Sequence, residues 1–283
     1  MGTSGPPLFF YVNIISMDKE IGWLLGEKYN DKPSKKFYKD VERLKAEEPV
    51  DYVIGFTEFL GCKIDLSKKP LIPRKETEFW VEDAIRDIAS LKSKKSDVRV
   101  LDVFSGSGCV AVAILAKTDI LLCDIADNQD KCLKQARINC RLNNINPKRY
   151  RVIKSNVFSS SSLRGVKQRS NLDSRLRGND GDGYDFIFAN PPYIPKTRKN
   201  KIQKSVLKYE PKEALFGGSD GLLFVRKFLK NAKNYLAEDG KIYMEFDSVQ
   251  KKDIEKLIKQ NKYSGFEFYR DQFKKWRWVI VYK

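Results

Sequence analysis

From Val98 to Lys283 the chain repeats one pattern, a short run rich in β-branched and aromatic residues followed by an amphipathic stretch with helical spacing. The runs fall at 98–103 (VRVLDV), 120–125 (ILLCDI), 151–155 (RVIKS), 184–189 (YDFIFA), 241–246 (KIYMEF), 266–270 (FEFYR) and 278–283 (WVIVYK). Helical spacing occupies 109–117, 127–143, 219–236 and 248–261. Strands alternating with helices pair in parallel through crossovers, so the pattern predicts an α/β domain, a doubly wound sheet with helices on both faces. Too little chain separates the last two strands to hold a helix, which makes that pair antiparallel.

Upstream, 76–91 has the spacing of one more helix, and 55–72 alternates apolar and polar residues around Gly61 as a hairpin does. Shorter helical stretches cover about 19–25 and 34–45. The chain therefore divides into a small helical region at 1–54, a β-hairpin linker at 55–75 and the α/β domain at 76–283. Residues 1–16 read as a tag-like start ahead of Met17, outside the fold. Residues 159–183, rich in Ser, Arg, Asn, Asp and Gly without apolar periodicity, read as a mobile insertion.

Composition narrows the chemistry. With 283 residues and 41% apolar side chains the chain can fill a sizeable core. Its longest apolar stretch, 8–15, falls far short of the roughly 20 residues a membrane span needs. That stretch also lacks the basic start and small-residue cleavage site of a signal peptide, so a cytoplasmic protein without membrane contact is expected. Five cysteines without a C-x-x-C spacing point to reduced, buried thiols and to no metal site. The absence of histidine removes Ser-His and Cys-His catalysis and the common His-based metal centres. A net charge of +17 favours encounter with polyanions such as RNA or the ribosome, although lysine-rich chains are often basic throughout and no RNA-binding motif is present.

Two segments carry the chemistry. The first strand runs into Phe104-Ser105-Gly106-Ser107-Gly108 and then a helix, where glycines let a ligand approach the backbone and the helix start offers free N–H groups. The Gly106-x-Gly108-x-x-Ala111 spacing fits a dinucleotide as well as S-adenosylmethionine. Asp102 favours the latter, since a carboxylate would repel a pyrophosphate but attract a sulfonium and an ammonium. Asp124, with Ile125 at the end of the second strand, is placed to accept from both ribose hydroxyls, or else to cap the helix that begins near Ala126. At the end of the fourth strand stands Asn190-Pro191-Pro192-Tyr193. Consecutive prolines remove N–H donors and leave acceptors, which suits an NH₂ group. The Asn190 side-chain oxygen and the Pro191 carbonyl can each take one N–H of a planar amide or amine, with Tyr193 stacked on its plane.

Seven strands ending in an antiparallel pair make the sheet similar to that of S-adenosylmethionine-dependent methyltransferases. The NPPY element, Leu71-Ile72-Pro73-Arg74-Lys75-Glu76-Thr77-Glu78 and Glu210-Pro211-Lys212-Glu213-Ala214-Leu215-Phe216-Gly217-Gly218-Ser219-Asp220-Gly221-Leu222 together resemble the bacterial peptide chain release factor N5-glutamine methyltransferase family over about 52–250. The resemblance implies methylation of the glutamine N5 in the Gly-Gly-Gln loop of a class I release factor, with the helical region and hairpin gripping that partner. It implies that Asn190 to Tyr193 hold the amide, with Arg74 and Glu76 on the substrate side. It also implies that the 104–108 loop, Asp124, Ile125, Asn156, Val157 and Asn190 line the S-adenosylmethionine pocket of a monomeric enzyme. Phe104 replaces the family's first loop glycine, Asn156 an aspartate near the adenine, and Asp247 the glycine of Glu-x-Gly after Glu245. Asn156 can still accept from the adenine amine. Two other readings remain open here: an N6-adenine or exocyclic-amine methyltransferase acting on RNA, and a degenerate cofactor-binding protein without activity. An NAD dehydrogenase is more distant, because no hydride-acceptor site can be named.

Overall fold

The computed structural model describes residues 8–120, 122–156 and 183–283. Three helices open the chain: α1 (Leu8–Tyr29), α2 (Lys35–Lys45) and α3 (Val50–Ile54). Ser34 caps α2 by accepting from the Phe37 N–H at 3.3 Å, and Phe37, Val41 and Leu44 then fall on one face. That face closes with Leu24 and Val53 into a small separate core. The helix expected at 19–25 is much longer, and it starts inside the segment read as tag-like.

The hairpin forms as expected, with β1 (Phe56–Phe59) paired to β2 (Cys62–Asp65) around Gly61. After α4 (Lys75–Lys92) the chain alternates through β3 (Arg99–Val103), α5 (Cys109–Lys117), β4 (Leu122–Asp127), α6 (Asp130–Leu142), β5 (Tyr150–Lys154) and β6 (Tyr184–Ala189). Two short helices follow, α7 (Lys204–Tyr209) and α8 (Lys212–Leu215), then α9 (Leu223–Ala232), β7 (Leu236–Glu245), α10 (Lys251–Gln260), β8 (Gly265–Arg270) and β9 (Trp276–Tyr282). The larger sheet has seven strands in the order β5-β4-β3-β6-β7-β9-β8. It is parallel up to β7 and antiparallel at β7-β9 and β8-β9. One face is sealed by α4 and α5 with the β hairpin, burying Trp80 against Phe188 and Tyr243. Val225, Phe228, Ile254 and Ile258 of α9 and α10 seal the other.

Two differences from the expected elements matter for the site. The second strand starts and ends two residues later than the apolar run indicated, reaching Asp127. The strand expected at 241–246 begins earlier, at Leu236. The segment expected to be an insertion lies, but for Gly183, outside the described residues. All five cysteines are buried free thiols, and among the described residues no helix is long and apolar enough to cross a membrane.

Candidate functional site

Parallel strands end together, and here β3, β4 and β6 deliver their last residues to one cavity of about 310 Å³ at the carboxyl edge of the sheet. Its walls are the 102–107 stretch, Asp127 to Gln129, Ser155, Asn190 and Pro192, with Leu71 to Arg74 and Thr77 on one rim and Pro211, Glu213 and Ala214 on another. The loop after β3 is shaped by close approach. Gly108 has φ +78° and opens α5, and a Cβ there would lie 2.9 Å from that of Ala136.

The wall carries buried polar atoms without partners. Asp102 is 2% exposed, and its Oδ2, together with the hydroxyls of Ser105 and Ser155, is buried without a hydrogen-bond partner. All three residues line the cavity. Burial pushes the Asp102 carboxyl up to about 8, the Ala111 backbone opposing and the nearby Asp127 charge adding to the rise. A buried acid in that state fits a cationic or hydrogen-bonding ligand.

Asp127 is the residue that the sequence reading missed. Its Oδ2 accepts from the Gly106 N–H at 3.0 Å and its Oδ1 from the Gln129 N–H at 2.9 Å, which ties the glycine loop to the end of β4. Burial raises its pKa, and the N–H groups of Gln129 and Gly106 offset part of that. The expected acidic residue, Asp124, is corrected by the register. Val103 ends β3 opposite Ala126, so Asp124 sits inside the sheet opposite Leu101. There it is fully buried, receives Arg151 Nε at 2.6 Å and Tyr184 Oη at 2.5 Å, and takes no part in the cavity wall. Ile125 is likewise core. The apolar run hid the strand's true end because Ala126-Asp127-Asn128 looks like a helix start.

Of the other expected cofactor residues, Phe104, Ser105, Gly106, Ser107 and Asn190 line the cavity. Gly108 lies just beneath, Asn156 is exposed beyond the lining Ser155, and Val157 falls outside the described residues. Phe104 adopts φ +60° at the position where the family pattern has glycine, its ring edge-on to Phe224 and Phe228 at 6.1 and 6.2 Å.

The NPPY turn leaves β6 and is clamped from behind. Ile194 N–H donates to Leu215 O, Gly217 N–H donates to Ile194 O, each at 3.0 Å, and Gln250 Nε2 donates to Tyr193 O at 2.9 Å. Gly217 lies so close that a Cβ would meet Pro192 O at 2.3 Å. Asn190 and Pro192 reach the cavity, whereas Pro191 is buried outside it. Tyr193 does not line it either: its hydroxyl donates to Glu245 Oε1 at 3.1 Å, the acceptor that a half-buried phenol needs. Burial, then the Glu245 charge, raises its pKa strongly.

On the opposite rim, Arg74 lines the cavity with its guanidinium tied to Glu210 at 2.5 Å, while Glu76 stands in the first turn of α4 away from the wall. Glu210, 4% exposed, also accepts from the Ile72 N–H at 3.1 Å. The 71–78 and 210–222 segments that carry the family resemblance thus meet at one ion pair.

No family model matches the chain. A release factor glutamine methyltransferase of Thermodesulfovibrio yellowstonii is 32% identical over 82% of this chain and 75% of its own. One of Flavobacterium psychrophilum is 30% identical over 84% and 77%. Among solved structures, the N-terminal domain of human METTL16 in complex with SAH matches at a TM-score of 0.51, with 18% identity over 91% of this chain and 96% of that domain, which is a likeness of fold. By its sequence over most of its length and by its seven-stranded sheet, this chain belongs to the release factor glutamine methyltransferase family.

Proposed function

We propose that the chain transfers a methyl group from S-adenosylmethionine to the N5 side-chain amide of the glutamine in the Gly-Gly-Gln loop of a class I peptide chain release factor. One observation carries the reading: a single cavity holds the buried Asp102 carboxyl, whose Oδ2 has no partner, and the Asn190 carboxamide of an NPPY turn. The relatives' names supply the substrate class. When bound, S-adenosylmethionine supplies an electrophilic methyl on a cationic sulfur with an ammonium beside it.

The chain's residues divide the remaining work. Asp102 and the Ser105 hydroxyl would hold the cationic end, Asp127 would accept from the ribose hydroxyls, and Ser155 would serve the adenine side. Phe104 walls the cavity. Asn190 Oδ1 and the turn's carbonyls accept the two N–H bonds of the glutamine amide, turning its nitrogen toward the methyl. No imidazole exists in the chain to act as a base. Positioning of this kind lowers a barrier by about 7–11 kcal/mol at its best, which makes orientation the main contribution.

The partner enters over the Arg74 rim. The helical region α1 to α3 is fastened beside it, since Tyr209 Oη and Lys208 Nζ both donate to Ala46 O, at 2.8 and 3.2 Å. That region with the hairpin grips the release factor, and the enzyme works as a cytoplasmic monomer with transient proximity to the ribosome and its RNA. The test is methyl transfer from labelled S-adenosylmethionine into purified release factor, beside a Gln→Ala variant of its Gly-Gly-Gln loop and bulk ribosomal RNA. Label that disappears with the glutamine is the expected result. Label in RNA alone would replace the reading with an exocyclic-amine methyltransferase.

A further inference from the structure

The end of β7 lies against the end of β6, with Ala189 opposite Met244, so Asn190, the first residue after β6, follows beside Glu245, the last of β7. Glu245 is 1% exposed and collects three donors. Thr77 Oγ1 and Trp80 Nε1 both reach its Oε2, at 2.6 and 2.9 Å, and Tyr193 Oη reaches Oε1 at 3.1 Å. Asn190 Nδ2 in turn lies 3.4 Å from Thr77 Oγ1.

The chemistry of these groups gives the chain of contacts a direction. An indole N–H can only donate, so the Glu245 oxygen facing Trp80 must accept. A threonine hydroxyl has one proton, and Thr77 gives it to that same oxygen, leaving only lone pairs toward Asn190. The Asn190 carboxamide can meet lone pairs only with its NH₂, and its Oδ1 then faces the cavity. We infer that Glu245, acting through Thr77, sets the orientation of the Asn190 carboxamide, so that the residue presents an acceptor and not a donor to the substrate amide. Glu245 and Thr77 are positioning residues. Neither hydrogen-bonds the substrate in this scheme, yet removing the Thr77 hydroxyl frees the Asn190 NH₂ to turn toward the substrate's own NH₂. A glutamine at 245 keeps its oxygen toward the Trp80 and Thr77 donors and turns its NH₂ to the Tyr193 hydroxyl, so it tests whether an acceptor at that position, and not its charge, sets the amide. The inference rests on the proposed role of Asn190 in holding an amide.

The test uses the full-length enzyme with release factor, and compares Thr77→Val, Thr77→Ser and Glu245→Gln for steady-state kinetics, S-adenosylhomocysteine affinity and thermal unfolding. Valine matches threonine in shape, so Thr77→Val keeps the comparison usable if Glu245→Gln folds poorly. Leaving a buried donor or acceptor unmatched lowers kcat/KM about 10-fold or more in Thr77→Val, whereas Glu245→Gln, which keeps an acceptor oxygen toward Thr77, holds within about 3-fold. Thr77→Ser, which keeps the hydroxyl, holds within about 3-fold, and S-adenosylhomocysteine affinity moves less than about 2-fold in all three, well under the tenfold that each 1.36 kcal/mol represents. Wild-type kcat/KM in Thr77→Val, or equal losses of cofactor affinity and turnover, overturns the inference. An independent reading comes from NMR: the Asn190 side-chain amide protons, assigned through Asn190→Asp, exchange more slowly with solvent in the wild type than in Thr77→Val, and equal exchange also overturns it. Absence of glutamine labelling by the wild type would instead strike the proposed function, leaving the NMR comparison to decide the orientation.

Discussion

Phe104 holds a backbone conformation that glycine reaches freely and other L-residues do not, at a cost of about 1–2 kcal/mol. What offsets the strain is its ring, packed edge-on against Phe224 and Phe228. Two substitutions separate these effects. Phe104→Ala keeps the strained φ and loses the ring, whereas Phe104→Gly loses the ring but relaxes the backbone. Chemical denaturation is expected to rank wild type above Phe104→Gly and Phe104→Gly above Phe104→Ala by about 1 kcal/mol; alanine equal to or above glycine would mean that the position is unstrained. Asp102 gives a pH prediction at the same scale. Its carboxyl, raised to about 8 by burial, is protonated in the free protein through neutral pH, while its unfolded counterpart ionises near 4. Its contribution to stability is therefore full in acid and is lost as pH rises from about 4 through about 8. A cationic ligand needs the carboxylate, so S-adenosylmethionine affinity should climb from pH 6 to pH 8 with uptake of hydroxide or release of one proton, then level off. Calorimetric titration in buffers of different ionisation heat checks this, and Asp102→Asn should flatten the profile. Sequence alone singled out Asp102, which lines the cavity, because it precedes a glycine loop, and singled out Asp124, which does not line it, in place of Asp127, which does. The two differ only in where β4 ends, and a hydrophobic run does not mark the last residue of a strand buried on both faces.

At the scale of elements, the strands and long helices were legible because each buries a face, and burial imposes a period of 2 or 3.6 on the sequence. The short helices between NPPY and α9 were not. Four to six residues, as in α7 and α8, cannot display a helical period, and helices of that length exist only because the surrounding fold holds them. Their function is positional. They carry Glu210 to the LIPRKETE segment, where its buried carboxylate accepts from Arg74 and from the Ile72 N–H. Replacing Glu210 by alanine strands the Ile72 donor and leaves Arg74 without its partner at the cavity rim, and removing one partner of a buried pair costs about 3–5 kcal/mol. The Arg74 side chain is 36% exposed, so a loss near 2–3 kcal/mol, as for an unmatched buried donor near a charge, is expected in urea unfolding. Arg74→Ala should cost less, because the Ile72 N–H still satisfies Glu210 in part. The reverse order would show that Arg74 carries the junction.

For the whole molecule, the excess of 54 basic over 37 acidic residues is a statement about encounter and not about fold. Part of that excess stands next to the site. The exposed side chains of Lys196, Lys199, Lys201 and Lys204 follow the NPPY turn directly, on a segment pinned by the Lys196 N–H to Gly218 O at 2.9 Å and by Arg198 against Asp247. Asp247, the residue standing where the family has glycine, thus caps the 248–250 turn and anchors the basic stretch. On the proposed function, a protein substrate bound for Asn190 meets this field first. Between 0.1 M and 1 M salt the Debye length shrinks from about 10 Å to about 3 Å, which removes long-range attraction and leaves buried contacts almost unchanged. Raising salt over that range should therefore increase KM for release factor several-fold while kcat and S-adenosylhomocysteine affinity hold nearly constant, and Lys199→Glu with Lys201→Glu should reproduce the rise at low salt. If KM proves indifferent to salt and to both reversals, the charge is a solvated coat, and partner recognition has to come from the apolar and hydrogen-bonding surfaces of the helical region and hairpin.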